Sequence, residues 1–251
     1  MTVYALNTAT LRPHVVSAAP TQCLLVERDT GLLAVDAGLS RAHLRDPSAL
    51  SFEQFFIRRP HDPSLALVNQ IRALGYRPED LTDIVLTHLH SEHASGIMDF
   101  PHATVHVSRT EHDVAMNGSL RSRMAYRPTI WAHHPNWRLH AGTDIWKDIP
   151  GVSAIDHDIY LVPLPGHTLG HCGVAVRVSD TWILHAGDAT YLDPADQSSS
   201  LALLLRQYQW LSTASRAQSR TTHQLLRDLS TNPDVRILCS HHPAPDLSII
   251  H

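Results

Sequence analysis

The stretch THLHSEHASG, residues 87–96, gathers His88, His90, Glu92 and His93 into six positions. Imidazoles and carboxylates this close together are the donor set of a transition-metal site. Three further residues of the same kind follow apolar segments later in the chain: His167 after LVPLPG, Asp188 after WILHAG and His241 after VRILCS. Along an extended backbone His88 and His90 project to one side, being two residues apart, so they can grip one ion together. Glu92 and His93 come after the chain turns and can serve a second ion. Any one of these residues alone would read as a core histidine or, for Glu92, as the start of a helix at HASGIMDF. Four in six residues, with three more at separate strand ends, do not fit that structural reading.

The elements that must position them are short apolar runs broken by turns. VYALNTATL (3–11), CLLVE (23–27), GLLAVDAG (31–38), DIVLTH (83–88), ATVHVS (103–108), YLVPLPG (160–166), CGVAVRV (172–178), WILHAGD (182–188) and VRILCS (235–240) read as strands. Helical patterns cover 64–76, 108–117 and 215–230. A strand end at a rim is where a rigid sheet presents side chains to a ligand. The two halves of the chain look alike in outline, each with consecutive strands, helical material and metal-type residues just past a strand. With no linker or short repeat between them, a single domain over 1–251 is expected.

Composition narrows the function. A chain of 251 residues with 43% hydrophobic and 18% charged residues can bury a large core. A formal charge of -4 with scattered Lys and Arg provides no basic stripe, which argues against nucleic acid and anionic membrane surfaces and for a small-molecule partner. The start, MTVYALNTATLRP, lacks a signal-peptide pattern and no later run reaches the length of a membrane span, so a cytoplasmic location is expected. Cys23, Cys172 and Cys239 are odd in number and far apart, and read as buried packing residues and not as a disulfide framework.

The pattern HLHSEH (88–93), PGHTLGH (165–171), HAGD (185–188) and SHH (240–242) resembles the metallo-β-lactamase superfamily, whose signature is H-x-H-x-D-H followed by a distant His, Asp and His. The correspondence runs from about residue 22 to the end. LLAVDAGLS (32–40) resembles the family's VDTG turn, in which Asp36 would support the ligand loop. The resemblance implies an α/β four-layer αββα sandwich with metals at one rim. It implies His88, His90 and His167 on a first metal, Glu92, His93 and His241 on a second, and Asp188 bridging the two. Zinc best suits these donors, with iron, manganese and cobalt as alternatives. A shared water, deprotonated near neutral pH, would be the nucleophile. Two divalent ions against Glu92, Asp188 and one hydroxide leave a charge of about +1, suited to an anionic tetrahedral state. The departure is Glu92, where the family has Asp: the additional carbon–carbon bond adds about 1.5 Å of reach, so the carboxylate must fold back or the second ion move outward.

Within the superfamily, Tyr191 in GDATY resembles the tyrosine that N-acyl-homoserine lactone lactonases place three residues after the bridging Asp to hold the substrate carbonyl. A lactone or simple ester is therefore the expected substrate, attacked by the bridging hydroxide. Other esterases or thioesterases, a non-hydrolytic iron enzyme and a metal-binding protein without catalysis are the alternatives. Two aromatic-rich insertions, 48–62 with Phe52, Phe55 and Phe56 and 124–137 with Tyr126, Trp131 and Trp137, could line an acyl channel or form a homodimer contact or a small secondary core.

Overall fold

The computed structural model describes residues 1–13, 19–46, 57–58, 62–118, 126–191, 209 and 213–241. Its first sheet is built from β1 (Thr2–Pro13), β2 (Ala19–Arg28), β3 (Gly31–Val35), β4 (Ile57–Arg58), β5 (Leu81–Val85), β6 (Thr104–Ser108) and β7 (Asn136–His140), in the order β4-β1-β2-β3-β5-β6-β7. The second contains β8 (Asp144–Trp146), β9 (Ile149–Asp156), β10 (Ile159–Pro163), β11 (Cys172–Val178), β12 (Thr181–His185) and β13 (Val235–Leu238), in the order β13-β12-β11-β10-β9-β8. Strands β3, β5, β6 and β7 run parallel, as do β12 and β13, and the other strand pairs are antiparallel. Among the described residues the helices are α1 (Arg41–Arg45), α2 (Leu67–Ala73), α3 (Ser91–Ala94), α4 (Arg109–Asn117) and α5 (Arg216–Ser230).

Alternation along the strands produces the layers. Leu24, Val26, Leu33, Val35 and Val85 point inward and meet Leu161, Val174, Val176, Val178 and Ile183 of the second sheet. Their neighbours point outward. Leu25, Leu32, Ala34 and Ile84 pack under Leu67, Val68 and Ile71 of α2. On the far side Val162, Ala175 and Leu184 pack under Leu226 and Leu229 of α5. Both faces of each sheet are thus covered, which is why the strands read as nearly unbroken apolar runs. Helix α5 is capped by Ser215, which accepts from the Gln218 N–H, and buries Thr222, Leu226 and Leu229 on one stripe. The result is the αββα sandwich expected from the sequence.

Several boundaries differ from the sequence reading for local reasons. The strand expected over 31–38 stops at Val35, because Asp36 takes φ 58 and turns the chain. The helix expected from 64 begins as a 3-10 turn at Pro63–Leu65, capped by Asp62, and extended backbone at Ala66 separates it from α2. Strands β7, β8 and β9 were not expected; their sequences are half exposed and carry no sustained apolar run. Among the described residues no helix is long and apolar enough to cross a membrane.

Away from the rim formed by Val35 and Val85, Arg28 ion-pairs with Asp83 of its own sheet and Asp156 of the other. Asp83 also accepts from His106, whose other ring nitrogen lies 3.0 Å from His140. Burial opposes charge on Asp83, but His106 and Arg28 hold its carboxyl far below the usual range. Between these ions and the rim, the interior is apolar. Leu24, fully buried between the sheets, should therefore be costly to truncate: Leu24→Ala should lower stability by about 2–5 kcal/mol. Urea unfolding of the metal-free protein measures this.

Candidate metal centre

Strands β3, β5, β10, β12 and β13 all run toward one rim, and each predicted ligand lies just past one of them. The two sheets are joined there by main-chain hydrogen bonds, from Cys172 N–H to the Thr87 carbonyl at 2.9 Å and from Gln22 N–H to the Ser240 carbonyl at 2.9 Å. The predicted residues fall into two groups, His88 with His90 and His167, and Glu92 with His93, Asp188 and His241. In each, one donor atom per residue lies within 4.8 Å of the others. The short helix α3 explains the division: His88 and His90 precede it, with His90 in extended backbone, while Glu92 and His93 lie within it. Glu92 does occupy the first turn of a helix, so both readings of it hold together: its Oε2 accepts from Ser91 Oγ at 3.1 Å, and it belongs to the second group.

Asp188 stands between the groups. Its Oδ1 lies 3.2 Å from His93 Nε2 and 3.3 Å from His241 Nε2, and its Oδ2 lies 3.5 Å from His167 Nε2. Burial pushes its carboxyl up, yet His241 and His93 beside it hold it well below the ordinary range. Burial opposes charge on His93, but Asp188 and Asp36 raise it well above its usual value. His241 is likewise raised by Asp188 against the effect of burial. His88 is driven well down by burial and by His93 and His90, and His167 well down by burial and by His90 despite Asp188.

Partners behind the rings set which nitrogen faces inward. His93 Nδ1 donates to Asp36 Oδ2 at 2.9 Å, and His241 Nδ1 donates to the Pro20 carbonyl at 2.8 Å. The Thr87 hydroxyl donates to Asp36 Oδ2 at 3.0 Å, so it accepts from His88 Nδ1, also at 3.0 Å. Each of these rings is left with Nε2 as its inward donor atom. His88 Nε2, His93 Nε2, His167 Nδ1 and Asp188 Oδ1 are buried without a hydrogen bond. Unpaired buried polar atoms are costly, and three of these, His88 Nε2, His93 Nε2 and Asp188 Oδ1, face the two groups as an N/O donor set that fits divalent transition ions.

Tyr191 is buried beside both groups, its ring centroid 5.4 Å from His241 and 6.2 Å from His167. Of the second aromatic insertion, Tyr126 and Trp131 are buried in the main outer cluster of the first sheet and Trp137 packs against it, so they form part of the principal core of that layer and not a separate small one. The expected aromatic segment around Phe52, Phe55 and Phe56 lies outside the described residues.

Sequence reasoning missed His171, although it lies in the quoted PGHTLGH. It is buried, donates through Nδ1 to the Leu164 carbonyl at 3.1 Å and accepts at Nε2 from the Asp188 N–H at 3.0 Å, so it holds the Asp188 loop. Burial pushes its pKa down to about 3, which keeps it neutral for that role. Gly187 follows from the same contact, since it takes φ 54 and a Cβ there would meet the His171 ring and Thr87. A second histidine four residues after the PGH segment was the available signal.

The metallo-beta-lactamase superfamily model matches residues 16–241. The chain belongs to that superfamily. It is 34% identical over 249 residues to a probable metallo-hydrolase of Mycobacterium tuberculosis, covering 96% of this chain and 80% of that one. It is 28% identical over 186 residues to the N-acyl homoserine lactonase of Bacillus thuringiensis subsp. kurstaki, covering 72% of this chain and 68% of that one. Among solved structures, an N-acyl homoserine lactone hydrolase with N-hexanoyl-L-homoserine bound at its catalytic metal center superimposes with a TM-score of 0.74 at 20% identity, over 96% of this chain and 92% of that chain. The fold of this chain is therefore that of the metallo-β-lactamase superfamily.

The carboxylate of Asp36 is fully buried and holds the Thr87 N–H and hydroxyl together with His93. Asp36→Ala strands all three donors and should destabilise the metal-free protein by about 3–5 kcal/mol. Asp36→Asn, which keeps one acceptor, should lose less, as thermal unfolding of the two variants would show.

Proposed function

We propose that this chain, read as one catalytic unit over 1–251, is a two-metal hydrolase that opens lactone rings, with N-acyl homoserine lactones as its substrate class. The observation that carries the reading is the position of Asp188, with one carboxylate oxygen toward the second group and the other toward His167 of the first. His88, His90 and His167 would hold one ion, Glu92, His93 and His241 the other, and Asp188 both. Zinc suits the nitrogen and oxygen donors best, with iron, manganese and cobalt as alternatives. Divalent ions bound there acidify water and polarise an ester carbonyl.

The chain's own groups supply the rest. Asp36, Thr87 and the Pro20 carbonyl orient the imidazoles, so the donor atoms face inward before any ion arrives. Tyr191 stands beside His167 and His241, where its phenol can donate to the substrate carbonyl or the departing ring oxygen as negative charge develops there. The lactonase relatives support a cyclic ester, whereas the mycobacterial relative supports a hydrolase of unspecified substrate. Hydrolysis of acyl-homoserine lactones, other lactones, nitrophenyl esters and a cephalosporin by the metal-loaded protein tests the reading. Ester turnover without lactone turnover would move the chain to the esterase alternative.

Tyr191→Phe should lower lactone turnover roughly tenfold to a hundredfold with metal content unchanged, about the contribution of one charge-assisted hydrogen bond. Parallel metal analysis separates this from a ligand role. Metal uptake should also release protons. His93 and His241, raised in the metal-free protein, must deprotonate before they can ligate. Zinc affinity should therefore rise with pH from about 6.5 until both raised values are passed. Calorimetry in buffers of different ionisation enthalpy measures the protons, and uptake at pH 6.5 that releases none would place the ion elsewhere.

A further inference from the structure

Glu111, in the first turn of α4, is fully buried although no sequence signal marks it as functional. Its carboxylate accepts three hydrogen bonds from neutral donors. Oε1 accepts from the Leu89 N–H at 3.0 Å and from the Tyr126 hydroxyl at 3.0 Å, and Oε2 accepts from the Thr168 hydroxyl at 2.6 Å. Burying a carboxylate costs several kcal/mol of solvation, and an apolar residue could fill the same space. The donors indicate what the charge is for. Leu89 lies between His88 and His90 on the loop leaving β5. Thr168 follows His167 on the loop leaving β10, in the other sheet. One side chain therefore joins the two backbone segments that bear the first group, and His167 Nε2 comes to 3.1 Å from His90 Nδ1 across that junction. Gly170 adds an independent sign of close fit, because a Cβ there would land on the Glu111 backbone. The second group has a different anchor, Asp36, which grips His93 directly.

We propose that Glu111 is the positioning residue of the His88–His90–His167 group, setting the spacing between its two arms and thereby the affinity of the first ion. The proposal rests on the metal-dependent reading above. It predicts a selective effect: loss of the Glu111 carboxylate loosens the first site and leaves the second, organised by Asp36 and Asp188, nearly as it was. The Tyr126 bond, which reaches no ligand-bearing loop, should matter least.

The test is competition between the full-length protein and a chromophoric chelator for zinc. Cobalt(II) absorption would serve as a second readout, and His167→Ala and His241→Ala would assign the two binding events. For Glu111→Ala the affinity of the first site should fall about 10–100-fold, the usual effect of removing a group that orients ligands, while the second changes little. Glu111→Gln, which keeps two acceptor bonds, should fall between this and the wild type, and Tyr126→Phe should stay near the wild type. If Glu111→Ala does not fold, Thr168→Val carries the test, since it cuts only the His167 arm; a weakened first site supports the proposal and an unchanged one overturns it. Equal weakening of both sites, or unaltered affinities in Glu111→Ala, also overturns it. Wild-type protein that takes up no zinc would refute the metal-dependent reading itself, whereas two wild-type sites that ignore the loss of Glu111 would refute only this inference.

Discussion

The rim depends on the buried carboxylate of Asp36. Its own N–H is tied to the Val85 carbonyl, so the turn out of β3 is fastened to the end of β5. Its two oxygens then hold the second residue past β5, Thr87, and the ring of His93. Thr87 passes the constraint onward, to His88 through its hydroxyl and to the second sheet through its carbonyl, which accepts from Cys172 N–H. A carboxylate at this position needs a left-handed backbone, and Asp is among the few non-glycine residues that tolerate it. His88 of the first group and His93 of the second both trace back to this one turn.

Packing so many imidazoles together has an electrostatic consequence. His88, His167, His171 and His185 are all depressed, with burial the largest cause, while His93 and His241 are raised by the carboxylates. The two raised rings are those whose Nε2 lies closest to Asp188 Oδ1.

Much of this was legible in the sequence, and what was not has a physical reason. The inner strands could be read because burial on both faces makes them continuous apolar runs, as in CGVAVRV and VRIL. The seven predicted ligand residues could be read because their types and spacing leave few other uses, and the structure draws all seven into two groups. Strands β7 to β9 could not, since strands at or next to a half-exposed sheet edge carry mixed residues with weak periodicity. Nor could the supporting groups. Glu111 and His171 are polar residues whose burial is decided by loops that meet only in three dimensions, and nothing local distinguishes Glu111 from a solvent-facing glutamate in α4.

The position of β13 has a consequence for how the molecule is made. This four-residue strand closes the edge of the second sheet, pairs in parallel with β12 and carries His241 to the rim. Its register partners lie about fifty residues earlier, and His241 meets a group that begins with Glu92. Contacts of such long sequence separation form late and slowly in folding. The second group therefore remains incomplete until the last strand docks, so a bound ion would favour the fully assembled sandwich over every earlier intermediate. An ion held there would act as a latch on completed folding.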